Sequence, residues 1–370
     1  MRLTIAATRT LLVLLVASLA LGQSSDGWRR VAPGQTLELP RDHASHPDYR
    51  VEWWYYTGNV TSDDGRRFGY QLTFFRVGVN PTPANPSRWA VRDLYMTHLA
   101  VTDAGAQAFY FADRLNRAGV GWAGADTERY RVWNDDWSAE LDADGRHVLN
   151  ARDGAFGVRL ALAPEKPAVR HGVGGYSQKG SEPGNASVYY SQTRMATTGT
   201  LTVDGREVRV SGLSWMDHEF GTSLLESGQT GWDWFSIQLD DATDLMLFEI
   251  RRADGSRDPR SSGTSVDRAG AGTALARDRF DLVPGRVWTS PSSGAAYPVV
   301  WHVSVPDEQL ELDVRAVVDD QELRFERSTG VTYWEGAVDV AGTRAGRPVA
   351  GRGYLEMTGY AGVSMDRALQ

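Results

Sequence analysis

Apolar and polar positions alternate with period two along most of this chain, in short runs broken by turn-forming residues. Val51 to Val60 (VEWWYYTGNV) has the aromatic and β-branched content of a strand, Asp63-Asp64-Gly65 supplies a turn, and Phe68 to Val79 returns. Asn80 to Ser87 carries three prolines and reads as a loop. Asp93 to Asp103 and Ala106 to Ala112 pair around Ala104-Gly105; Arg129 to Leu141 and His147 to Leu162 continue the pattern, with turns at Asp144-Gly145 and Asp153-Gly154. Ser187 to Met195 is again strand, and Gly199 to His218 folds back around Asp204-Gly205. No long segment has a 3.6-residue period, so the pattern predicts an all-β, antiparallel up-and-down sheet or barrel. Ala163 to Ser187 is the exception: rich in Gly, Pro, Ser and charge, it reads either as a lid over a barrel mouth or as a floppy insertion.

The second half repeats the first. Gly231-Trp232-Asp233-Trp234-Phe235-Ser236 parallels Glu52-Trp53-Trp54-Tyr55-Tyr56-Thr57, and Val210 to Asp217 lines up with Val349 to Glu356. In that alignment Trp215 matches Tyr354 and Asp217 matches Glu356, whereas His218 meets Met357. A duplicated β unit follows, with its joint at Glu226 to Gly231, giving domains at 28–224 and 231–366.

Composition adds a compartment and removes some partners. Arg2 and Arg9 precede an apolar run from Leu11 to Leu21, which reads as a signal peptide over residues 1–22. It is too short to span a membrane, so the expectation is a secreted or periplasmic protein with no integral membrane segment after cleavage. Losing the two arginines takes the formal charge from −8 to −10, which disfavours nucleic acid as a partner. The chain contains no cysteine, so disulfides play no part in its stability. Thirteen Trp, fourteen Tyr and eleven Phe supply either thick barrel interiors or surfaces for flat, apolar ligands.

Chemistry concentrates in Gly212 to Gly221 (GLSWMDHEFG). On an extended strand Trp215, Asp217 and Glu219 share one face, and Met216, His218 and Phe220 the other. A buried carboxyl has a raised pKa and can donate a proton near neutrality, so Asp217 and His218 are the catalytic candidates. The faces of Trp53, Tyr55, Tyr190 and Trp215 could stabilise a cation. His98, alternating with apolar neighbours, is expected to meet His218 inside the first barrel. Glu52 and Asp233, at the starts of the two aromatic strands, are read as partners of arginines. Neither GYSQK nor GLSWM completes a GxSxG elbow, and Thr222 breaks an HExxH pattern after His218. No metal site and no cofactor is expected, and no spacing selects a carboxylate pair for glycan cleavage.

The segments EWWYYTGNV, VYYSQTRM, WMDHEFGTS, GWDWFSIQLDD, Trp288 to Gly294 with Tyr297-Pro298, and TGVTYWEGAVDV resemble the AttH-like secreted proteins, a group related to carotenoid 1,2-hydratases of the CrtC type. The resemblance runs from about Trp28 to Ala361 and implies two lipocalin-like β-barrel domains in tandem. Relatives in that group include hydratases and cyclases acting on polyenes and other apolar compounds, and some members are labelled secreted hydrolases. The hydratase pattern has a catalytic histidine in its DH motif, which falls on His218. Phe220 stands where that pattern has a tryptophan, and Leu247-Phe248-Glu249 where it has Tyr-x-Asp, so carotenoid hydration does not carry over with the fold. The reading is an exported protein that binds a hydrophobic small molecule, either as an acid–base enzyme at a double bond or as a non-catalytic carrier, with hydrolase and glycan-binding roles behind both.

Overall fold

The computed structural model describes residues 27–222, 225–325 and 330–362. The leader expected at 1–22 and the last residues of the expected second domain lie outside the described residues. Within them the protein is all-β, with helical character confined to short 3-10 turns such as Arg41–His43. The alternating pattern becomes strands and the Asp-Gly pairs become their turns: Asp204 (φ 51°) and Gly205 (φ 76°) both adopt the left-handed conformation that a tight hairpin needs. One turn escapes the pattern. Arg129 to Leu141 is two strands, Arg131–Asn134 and Trp137–Leu141, and Asp135 takes the left-handed conformation between them.

Thirteen strands form the first sheet and ten the second. Each is built the same way. The opening aromatic strand pairs on one side with its hairpin partner and on the other with the closing strand of its own half: Val51–Ser62 lies between Arg67–Gly78 and Arg206–Gly221, and Gln229–Leu239 between Asp244–Arg252 and Arg347–Met357. This is the duplication legible in the sequence. The first sheet curls until its ends approach, and the buried Asn134 side chain bridges them. Its amide donates to the Tyr95 carbonyl (3.2 Å) and to Thr97 Oγ1 (3.1 Å) on the facing strand. Such closure covers a sheet edge that would otherwise offer unpaired backbone groups. These are two lipocalin-like antiparallel domains.

Their interiors are packed. Trp54, Tyr56, Trp137 and Tyr190 fill the first, and Phe235, Trp301, Val338 and Leu355 the second. The two sheets then meet face to face through a separate set of rings and aliphatic chains, including Tyr55, Tyr189, Trp215, Trp234 and Phe248. Segment 163–187 is ordered in this seam. Val169–Arg170 and Tyr176–Gln178 pair with the long strand Ala186–Val203. Lys166 Nζ reaches Asp244 Oδ2 (2.7 Å) and the Ala242 and Asp267 carbonyls (2.7 and 2.9 Å), and His171 Nδ1 meets Thr264 Oγ1 at 2.8 Å. The segment is a strap between sheets, neither floppy nor a cover on a barrel mouth, because its charged and polar groups find partners on the second sheet.

Candidate functional site

Because side chains alternate along a strand, the outer face of the first sheet carries Trp53 and Tyr55 from the opening strand and Asp217 and Glu219 from the closing one. Tyr55 is the cross-strand neighbour of Asp217, and Trp53 of Glu219. The second sheet presents the equivalent set: Trp232 and Trp234 from its opening strand and Glu356 from its closing strand, with Trp234 opposite Glu356. The two outer faces enclose a cavity holding about 750 Å³ of atom-free space, its open mouth included. Phe75, Phe248, Ile250 and Leu225 complete the apolar wall, and Lys179 and Tyr189 line it from the strap and its neighbouring strand.

Asp217 is buried and receives three donors: Tyr189 Oη (2.6 Å to Oδ2), Trp215 Nε1 (2.6 Å to Oδ1) and the Ser191 hydroxyl. Burial raises its pKa to about 7 despite those bonds. Glu356 is half-buried, less enclosed than Asp217, and receives Trp232 Nε1 at 2.9 Å. Burial also lifts it to about 7, against that bond, and the charges of Asp217, Glu219 and Asp233 push in the same direction. Lys179 pairs with Glu219 (3.1 Å) and sits over the Phe248 ring at 4.1 Å. The cavity therefore combines two carboxyls that exchange protons near neutrality with a wall of rings.

Of the residues singled out in the sequence, Trp53, Tyr55 and Asp217 line this cavity, and Trp215 stands behind it as a donor to Asp217. The others do not join them. His218 points into the first barrel, where its Nε2 meets Glu52 Oε1 (3.0 Å) and its Nδ1 meets Tyr190 Oη (3.0 Å). Phe220 is also inside, stacked on His46 with centroids 3.7 Å apart. Asp217 and His218 are thus adjacent in sequence but separated by the sheet. His98 does not meet His218 either. It lies on the outer face, in the cross-strand row Asp217–Tyr55–Thr73–His98, and bonds Tyr333 of the second sheet (Nδ1 to Oη, 2.7 Å) against the Phe325 ring. Glu52 and Asp233 do pair with arginines, Arg76 at 3.1 Å and Arg251 at 3.3 Å. Sequence reasoning missed Lys179, Tyr189 and Glu356. The repeat alone could have found Glu356, as the counterpart of Asp217.

One group of potential metal ligands occurs among the described residues, away from the cavity: His46, Glu52 and His218, whose ligand atoms lie within 4.8 Å of one another.

The AttH-like family model matches residues 30–360. The chain belongs to that family. An AttH-assigned protein of Nitrosomonas europaea is 35% identical in a superposition with TM-score 0.82 that covers 90% of this chain and 99% of that one. Kievitone hydratase of Nectria haematococca superposes with TM-score 0.69 at 13% identity over 91% of this chain and 98% of its own, a likeness of fold. The dehydratase asqC of Emericella nidulans is 23% identical over 204 residues, 53% of this chain and 56% of that protein. The chain thus spans about half the length of this curated relative.

Proposed function

We propose that this AttH-like protein adds water to, or removes it from, an apolar molecule held between its two sheets. The observation that carries the reading is the meeting of Asp217 and Glu356, both with pKa about 7, in one ring-lined cavity. A carboxyl pair facing one space shares a proton, and the member that receives more hydrogen bonds ionises first. Three donors on Asp217 favour its carboxylate, so Glu356, with one donor, keeps the proton. In elimination Glu356 protonates a substrate hydroxyl, the C–O bond breaks and water leaves. Asp217 takes the proton from the adjacent carbon, and its electron pair becomes the double bond. The transferred proton returns from Asp217 to Glu356 to close the cycle; addition of water runs the same steps backwards. Cationic character at the carbon would face Trp53, Tyr55 and Trp234, each worth about 0.5–2 kcal/mol. That the curated relative is a dehydratase supports this class of reaction. The leader expected over residues 1–22 would place this activity in an exported protein.

The test uses the apolar molecule that co-purifies with the protein, identified by native mass spectrometry and incubated with enzyme in ¹⁸O-labelled water. Enzyme-dependent exchange of label into the molecule, lost in Asp217→Asn and Glu356→Gln variants that still bind it, is the expected result. Binding without exchange in the unaltered protein would replace the enzyme with a carrier, which needs the rings but not the acids.

A further inference from the structure

His218 is the residue that the duplication does not explain, and the cavity does not use it. We infer that His46, Glu52 and His218 bind a divalent transition-metal ion, zinc by the character of the donors, just inside the first barrel. The three come from different segments: the lead-in after the 3-10 turn, the start of the opening strand, and the closing strand. His46 Nδ1 and His218 Nε2 converge on one oxygen, Glu52 Oε1, at 2.9 and 3.0 Å. Ligand atoms each about 2.0–2.1 Å from a tetrahedral zinc stand roughly 3.3 Å apart, so a small outward movement of these groups makes room for the ion.

The far sides of Glu52 and His218 are already hydrogen-bonded, as those of metal ligands usually are, and that of His46 faces a carboxylate. His46 Nε2 lies 3.7 Å from Asp42 Oδ1. His218 Nδ1 is 3.0 Å from Tyr190 Oη. Glu52 Oε2 accepts from Ser45 Oγ (2.7 Å) and Arg76 Nε (3.1 Å), while Oε1 faces the two rings and accepts from the His46 backbone N–H (2.9 Å). Arg76 does not depend on Oε1 for compensation. It also pairs with Asp93 (2.9 Å) and donates to the Tyr49 and His46 carbonyls (2.7 and 3.1 Å). Glu52 and His218 are fully buried, while the His46 side chain is 19% exposed and marks the way in.

Packing of the fold does not demand this trio. In the second sheet the position of His218 is held by Met357, whose strand neighbour is Asp233, and no comparable cluster forms there among the described residues. The ion would pin the lead-in segment to the barrel wall in a chain without disulfides. It would lie on the opposite side of the strand from Asp217, so the site is independent of the proposed reaction.

Tag-free full-length protein is stripped with a chelator, reloaded with Zn²⁺ or Co²⁺ and passed through a desalting column, and its metal content is measured by plasma mass spectrometry. About one equivalent should remain, with visible d–d bands of nitrogen- and oxygen-ligated cobalt. His46→Ala, which keeps every partner of Arg76, should fall below a tenth of an equivalent with an unchanged circular dichroism spectrum. His302→Ala, at an exposed histidine between Glu311 and Asp313, should retain the ion. Loss of metal from the unaltered protein, cobalt bands without nitrogen ligation, or equal retention by His46→Ala would each overturn the assignment and leave a hydrogen-bonded cluster only.

Discussion

Asp217 and Glu356 enter one cavity from equivalent positions of two different sheets, each directly across its strand pair from an aromatic residue of the opening strand: Tyr55 beside Asp217, Trp234 beside Glu356. Their shared environment is a testable property even before a substrate is known. Infrared difference spectroscopy should show a protonated carboxyl band that disappears with a midpoint near pH 7. The band should lose amplitude in Asp217→Asn and in Glu356→Gln. In either variant the remaining acid loses a negative neighbour, so its midpoint should move down. Midpoints near 4 in the unaltered protein would contradict the burial on which the reading rests.

Tyr189 tests the donors around Asp217. Its hydroxyl donates to Asp217 at 2.6 Å and accepts from Trp234 Nε1 at 3.0 Å. Tyr189→Phe removes a bond that favours the carboxylate and leaves a buried indole N–H without its acceptor. The Asp217 midpoint should rise by roughly one pH unit, and stability in urea should fall by about 1–3 kcal/mol.

The histidines make a separate prediction about acid. Burial lowers His43, His98 and His171 to about 3, from an ordinary value of 6.5. The unfolded chain therefore binds protons that the folded one refuses. Stability from these groups is complete above pH 6.5 and declines as the pH falls from there towards 3, by on the order of 3 kcal/mol for each histidine at pH 4. Thermal midpoints measured from pH 7.5 to 4 should drop steeply, and His98→Asn should flatten the slope. A flat profile would mean that these rings are hydrated in the folded state.

Arg76 should be among the residues least tolerant of change. It is fully buried between Glu52 and Asp93, and its loss would leave the buried Glu52 without a permanent cation and Asp93 with Arg92 alone. Arg76→Met should cost about 3–5 kcal/mol in a denaturant titration, whereas the exposed Arg315→Met, at a pair with Asp313, should cost less than about 1 kcal/mol.

Much of this was legible in the chain. Period-two alternation gave the strands, Asp-Gly pairs gave the turns, and the repeat gave the equivalence of Trp53 with Trp232, Tyr55 with Trp234 and Asp217 with Glu356. Alternation even placed Asp217 and His218 on opposite faces. What it could not supply was which face becomes the inside. Around Asp217 both faces carry rings, because one fills a barrel and the other is covered by a second sheet, so hydrophobicity does not distinguish them. The same ambiguity put His98 in the wrong interior. Lys179 was hidden for a different reason: it belongs to a strap whose conformation is fixed by partners some seventy to a hundred positions away, such as Asp244 and the Asp267 carbonyl for Lys166.

The anchoring of Lys166 and Arg194 on Asp244, with Lys166 Nζ at 2.7 Å and Arg194 Nη2 at 2.7 Å, has a bearing on how such proteins diversify. The cavity proposed to hold the ligand is a gap between two plates, and its width follows from how the plates are clamped. Changes at a clamp far from any ligand can open or narrow that gap while both plates keep their own hydrogen bonding intact. Selectivity in this architecture can therefore drift through its fasteners, with the chemical groups left unaltered.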